Sequence, residues 1–133
     1  MRCLFCNIIK GQKEAFKVWE NRDFILFLDV KPINPGHVIL ITKKYIRDVF
    51  SVPEPLYGRM FQTVKRIARV LKKLTSAKRI GLAIEGFGAP HVHIHLVPVN
   101  KGNELNPLRA RKVAEKKLRS MQSEFASRFK RLK

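Results

Sequence analysis

His91, His93 and His95 alternate with Val92 and Ile94, and the run continues as Leu96-Val97-Pro98-Val99, so three of the chain's four histidines sit in one short segment. Successive side chains of a strand point to opposite faces. The three imidazoles would then share one face, about 6.6 Å apart, while Val92, Ile94 and Leu96 enter a core. On a helix only His91 and His95 would be neighbours. The β-branched neighbours and the strict alternation favour the strand, with Pro98 near its end or on an edge. A row of imidazoles suits two chemistries: binding a metal, or handling phosphate with a nucleophile and proton-transfer partners that titrate near neutrality. Cys3 and Cys6 form a second candidate group. They are too close in sequence to staple a fold, which leaves free thiols, a redox pair or half of a metal site.

The elements that must hold these residues follow from pattern. Lys17 to Trp19 and Phe24 to Leu28 read as two strands joined by the turn Glu20-Asn21-Arg22-Asp23, which predicts a hairpin. Lys31-Pro32-Ile33-Asn34-Pro35-Gly36 is a loop, and His37 to Thr42 is an apolar strand suited to burial on both faces. Between Glu54 and Leu74, the residues Leu56, Met60, Phe61, Val64, Ile67, Ala68 and Leu71 recur at helical spacing. Arg59, Lys65, Arg66, Arg69, Lys72 and Lys73 give that helix a positive outer stripe, with no acid after Glu54. Arg79 to Glu85 reads as a strand, Gly86-Phe87-Gly88-Ala89-Pro90 as a loop, and His91 to Val99 as the histidine strand. After Pro107, the spacing of Ala114, Leu118, Met121, Phe125, Phe129 and Leu132 predicts a basic amphipathic helix that packs on the domain, on a second subunit or on an acidic surface. The whole is an α+β pattern: an antiparallel sheet covered by one long helix, plus a C-terminal helix.

Composition bounds the partners. A chain of 133 residues with 45% hydrophobic content can build one domain with a real core. No apolar stretch approaches the roughly 20 residues of a membrane span, and the N-terminus lacks a signal-peptide pattern, so a cytoplasmic protein with no membrane partner is expected. Net charge is +18, from 28 Lys and Arg against 10 acids. Such a surface suits polyphosphates, nucleotides or nucleic acid, and it equally suits a lysine-rich proteome in which the charge is only solvated.

His91-Val92-His93-Ile94-His95-Leu96-Val97 resembles the alternating signature of the histidine-triad (HIT) superfamily of nucleotide hydrolases and transferases. The flanks agree in order and nearly in spacing. Cys3 to Ile9 resembles the N-terminal segment of bacterial and archaeal members, Phe27-Leu28-Asp29-Val30 the nucleoside-binding stretch, and Pro35 to Ile41 the strand that follows it. The likeness runs from about Cys3 to Val99, which divides the chain into a histidine-triad domain over residues 1–100 and a basic helical extension over 101–133.

The resemblance implies a homodimer that cleaves at the α-phosphate of a purine nucleoside phosphoramidate or dinucleoside polyphosphate. The reaction would pass through a nucleotidyl-histidine and release a nucleoside monophosphate, with no cofactor and no catalytic metal. On this reading His93 is the nucleophile, the carbonyl of His91 fixes its tautomer, and His95 and His37 stabilise phosphoryl charge or assist the leaving group. Asp29 would bind the ribose hydroxyls. Leu4, Phe5, Ile8, Phe27, Leu28 and Val30 would form an apolar slot for the base, and the amides of Gly86 and Gly88 an anion nest. The loop before the triad is short here and lacks the Gln-Ser/Thr segment of many members. Members with the N-terminal Cys pair typically hold structural zinc on both cysteines, the first triad histidine and a histidine after Lys-Lys. This chain has Lys43-Lys44-Tyr45, which leaves Cys3, Cys6 and His91 one ligand short. Two other functions remain compatible with the sequence: a deadenylase acting on adenylated nucleic acid ends, and a non-catalytic binding module with a Cys/His metal site.

Overall fold

Strict alternation along two central strands assigns the chain to two layers of core. The computed structural model describes residues 3–132. A short helix α1 (Leu4–Ile9) is followed by strands β1 (Lys17–Glu20), β2 (Phe24–Leu28) and β3 (Val38–Thr42), the long helix α2 (Leu56–Thr75), strands β4 (Arg79–Ala83) and β5 (His93–Val99), and helix α3 (Glu115–Phe129). The five strands form one antiparallel sheet in the order β1-β2-β3-β5-β4. Every residue of β2 and β3 is buried, because both faces of the sheet are covered there. Leu26, Leu28, Val38, Leu40, Ile94 and Leu96 face the long helices. Ile25, Phe27, Ile39 and Ile41 face the other way, against Phe5 and Ile8 of α1.

The larger cluster supplies most of the stability. Met60, Val64, Ile67 and Leu71 of α2 pack on it at helical spacing, and fully burying each such side chain contributes about 1.5–3 kcal/mol. Lys72 and Lys73 in the last turn of α2 complement its dipole. Among the three packings open to the C-terminal helix, the structure selects the domain itself. Leu118, Phe125 and Phe129 of α3 enter the same cluster, and Trp19 Nε1 donates a hydrogen bond to the carbonyl of Leu132 at 3.2 Å. The long helix and the C-terminal helix thus share this face of the sheet.

The C-terminal helix begins at Glu115, where the apolar spacing from Ala114 places it, and the stretch before it is held extended by the N–H groups of Arg111 and Val113, which donate to the carbonyls of Pro32 and Val30. The histidine strand begins at His93 because the N–H of Val92 donates to Ile46, outside the sheet. His91 thus leaves the row. No helix among the described residues is long and apolar enough to cross a membrane.

Replacing Phe129, which is 0% exposed, with Ala should cost about 3–5 kcal/mol in denaturant unfolding. A loss below about 1 kcal/mol would show that α3 contributes little to the shared core.

Candidate active site

The register of β5 against β3 builds the site. His93 lies opposite Ile41 and His95 opposite Ile39, so both imidazoles stand on the face that the long helices leave free. On the same face Asp29 follows the end of β2 and His37 precedes β3, and the Asp29 N–H donates to the His37 carbonyl at 3.0 Å. Gly36 sets the turn into His37. Its φ is +91°, and a Cβ there would meet Thr75 Cγ2 at 2.8 Å, so only glycine fits.

Hydrogen bonds to the backbone determine which nitrogen of each ring carries a proton. His93 Nδ1 lies 2.7 Å from the carbonyl of His91. A carbonyl only accepts, so Nδ1 is the protonated nitrogen and the Nε2 lone pair is free to attack an electrophile. The N–H of Ile33 donates to His37 Nδ1 at 3.0 Å, which places the His37 proton on Nε2. That nitrogen is 2.8 Å from His95 Nδ1, and donating into it leaves the His95 proton on Nε2. Burial, then the charge of His95, pushes His37 down to about 3. Burial, then the charge of His93, pushes His95 down to about 4. Asp29 Oδ1 accepts the Lys31 N–H at 2.8 Å, a turn-capping bond. Its Oδ2 faces His37 Nε2 at 3.5 Å and His95 Nδ1 at 4.0 Å, and burial raises the carboxyl above its ordinary range.

The structure gathers some of the expected base-slot residues and separates others. Phe5 packs its ring 4.9 Å from that of His93 and 5.7 Å from that of Phe27, with Ile8 beside them. Leu28 does not join them. It points into the helix-covered core, because neighbouring residues of a strand face opposite ways. Val30 lies past the end of β2 and is 51% exposed, and Leu4 is exposed on the outer side of α1. Gly86 and Gly88 both have positive φ, in an open loop ahead of the triad.

His91 belongs to a separate cluster. Its Nε2 donates to the Thr42 carbonyl at 2.8 Å, so the Nδ1 lone pair faces Cys6 Sγ at 3.6 Å and Cys3 Sγ at 3.9 Å. This is the posture of a metal-ligating histidine with its outer nitrogen anchored. The donor set nevertheless stops at three. Tyr45 lines the same pocket with its ring 5.5 Å from that of His91, and Cys3 and Cys6 are joined by a disulfide. These residues do not complete a tetrahedral zinc site.

Sequence reasoning missed the brace behind the Asp29–His37 loop. Arg109 donates to the Glu104 carbonyl at 2.9 Å and to Asn34 Oδ1 at 3.0 Å, and Asn34 donates to the Pro98 carbonyl at 2.8 Å. The buried carboxylate of Glu104 accepts the N–H groups of Asn100 and Lys101. Nothing in the spacing of residues so far apart in sequence signals this network.

Comparison with known proteins gives the family and the fold. A family model described as HIT domain matches residues 10–102. An uncharacterised HIT-like protein of Mycobacterium tuberculosis is 30% identical over 111 residues, which cover 80% of this chain and 77% of the other. A Candida albicans protein named adenosine 5′-monophosphoramidase is 32% identical over 108 residues, covering 72% of this chain and 69% of its own. Among solved structures, a HIT-like protein of Bartonella henselae superposes with a TM-score of 0.83 at 23% identity, covering 96% of each chain.

Two expectations follow from the site. His37 and His95 stay neutral in the fold at pH values where an unfolded imidazole, with its pKa about 6.5, is protonated. The unfolded chain then binds more protons. The stability present above about pH 6.5 should therefore be lost as pH falls toward the folded value of about 4 for His95. His37→Asn should flatten that slope in urea titrations run across the window, and an unchanged slope would assign it to other groups. Separately, Tyr45→His should let the reduced protein retain zinc through dialysis against a chelator where the parent chain loses it. Equal retention by the two would show that the fourth corner needs no histidine.

Proposed function

Because the chain belongs to the histidine-triad (HIT) family, we propose that it hydrolyses nucleotides at the α-phosphate, acting on purine nucleoside phosphoramidates or dinucleoside polyphosphates and releasing the nucleoside monophosphate. The observation that carries this reading is the 2.7 Å bond from His93 Nδ1 to the His91 carbonyl. It leaves Nε2 as a neutral, oriented nucleophile, and a covalent nucleotidyl-histidine divides a difficult hydrolysis into two transfers. His95, beside it on the same face, presents an N–H for the phosphoryl oxygens or the leaving atom. Asp29 lies at the end of β2, where its carboxylate can accept hydrogen bonds from ribose hydroxyls. Phe5, Ile8 and Phe27 offer apolar surface for a base with few polar contacts, which suits weak discrimination between purines. The relative named as an adenosine monophosphoramidase supports the same class of substrate.

The assembly we propose is a homodimer. β4 is the last strand of the sheet, so its outer backbone is unpaired, and Leu82 along it is 41% exposed. An apolar edge of this kind favours pairing with a second strand. Residues 1–100 form the catalytic unit in this reading, and the extension over 101–133 buttresses it.

Incubation of the purified protein with adenosine 5′-monophosphoramidate, and separately with diadenosine tetraphosphate, should give AMP in the presence of a chelator. His93→Ala should slow release by at least about a thousandfold. Failure of the unaltered protein to release AMP from either nucleotide would overturn the assignment.

A further inference from the structure

The loop from β4 to the triad reads Ile84-Glu85-Gly86-Phe87-Gly88-Ala89-Pro90 and offers no hydroxyl or amide side chain to a departing group. Its one ionisable residue, Glu85, is exposed. An amine or alkoxide leaves from phosphorus only with a proton, so the donor has to come from elsewhere, and His95 Nε2–H is the N–H on that face beside the nucleophile.

The neutral His37–His95 pair cannot supply that proton and remain neutral. His37 Nδ1 is closed off by the Ile33 amide, which has no transferable proton at ordinary pH. If His95 gave up its Nε2 proton, one ring would become an imidazolate. The competent acid is the pair carrying one extra proton. In that state His37 Nε2–H and His95 Nδ1–H point at each other across 2.8 Å, so the two rings must rotate apart for each hydrogen to meet an acceptor. The carboxylate oxygen facing them is Asp29 Oδ2, at ion-pair distances of 3.5 Å from His37 Nε2 and 4.0 Å from His95 Nδ1, so a small ring rotation brings both N–H groups to it. Its other oxygen is held by Lys31, which keeps Oδ2 aimed at the pair.

We propose that Asp29, beyond holding a ribose, is a positioning residue for proton transfer: its Oδ2 accepts N–H groups from His37 and His95 together and so makes possible the protonated pair from which His95 protonates the leaving group. This rests on the nucleotide-hydrolase reading. In the first step His93 Nε2 forms a bond to phosphorus, the bond to the leaving atom breaks with its electrons going to that atom, and the proton on His95 Nε2 follows them. His95 is left neutral, with its proton on Nδ1. In the second step water attacks phosphorus and passes a proton to His95 Nε2, and the N–P electrons return to His93. Both rings and the carboxylate then stand as they began.

The surrounding charges act on this balance from each packed element. Lys31, on the turn after β2, favours the Asp29 carboxylate. His93 on β5 opposes charge on His95, and Arg109 and Arg111 of the extension line the cavity behind Asp29 and His37. The Asp29 carboxylate is the negative charge that faces this excess of positive charge.

Asp29→Asn keeps the shape and removes the charge. The test compares adenosine 5′-alkylphosphoramidate, whose amine needs a proton, with adenosine 5′-(4-nitrophenyl) phosphate, which leaves as an anion, each with and without ribose hydroxyls. Asp29→Asn should slow kcat on the amine substrate by about a hundredfold or more, and on the nitrophenyl ester at least about tenfold less. That difference should persist on the 2′,3′-dideoxy forms. A loss equal for both leaving groups, and absent from the dideoxy forms, would leave Asp29 as a ribose ligand alone and overturn the proposal. Titration of the ligand-free protein by ¹⁵N NMR should show His95 gaining its proton at lower pH in Asp29→Asn, and an unchanged titration would likewise overturn it. The NMR comparison needs no substrate. It decides the role of Asp29 even where the unaltered protein cleaves none of these nucleotides, an outcome that would overturn the hydrolase reading instead.

Discussion

The hydrogen bond from His93 Nδ1 to the carbonyl of His91 is the constraint around which this molecule is arranged. It requires residue 91 to stop short of the strand so that its carbonyl can turn back toward the ring two residues on. The chain meets that requirement by sending the Val92 N–H to Ile46 and burying the His91 ring against Thr42 and the two cysteines. The imidazole of residue 91 and its carbonyl therefore serve different neighbours. One ring anchors the N-terminal segment while the adjacent carbonyl fixes the tautomer of the next histidine.

The same logic extends to the partner histidines. Their protons are assigned through a chain that begins at a backbone amide, Ile33 N–H, and passes through His37 to His95. Burial keeps both rings neutral, which is unfavourable for an acid, and Asp29 Oδ2 is the counter-charge against them. The positions of Asp29 and His37 depend on the loop between β2 and β3. That loop is clamped from behind by Asn34, Glu104 and Arg109, and by the backbone bonds from Arg111 and Val113. The extension beyond the sheet is thus continuous with the support of the site, since Leu118, Phe125 and Phe129 of α3 also enter the main core.

Cys3 and Cys6 show how local pattern and assembled chemistry can part. The spacing is that of a metal half-site, and the tertiary fold brings His91 to it with the correct nitrogen forward. Beside the three donors the chain places Tyr45 rather than a fourth ligand, and the sulfurs are bonded to each other. What the arrangement retains is mechanical. Cys3 caps α1, and α1 lays Phe5 against His93.

Much of this protein was legible in residue order because its strongest signals are local. Period-two alternation placed His93 and His95 on one face of a strand, helical spacing located α2, and the resemblance to the histidine-triad family singled out His93, His95, His37 and Asp29 as candidates. Other features were not legible, since they depend on pairs far apart in the chain. No pattern announces that the N–H groups of Arg111 and Val113 bond back to Pro32 and Val30 ahead of α3, or that Arg109 braces the loop carrying Asp29. The sequence by itself determined which side chains can do chemistry and which face of a strand or helix each occupies, because those follow from the geometry of consecutive residues. Only the tertiary structure decided which nitrogen of each histidine carries the proton and which charges face it. Those depend on carbonyls, amides and carboxylates delivered by other segments across distances of a few ångströms.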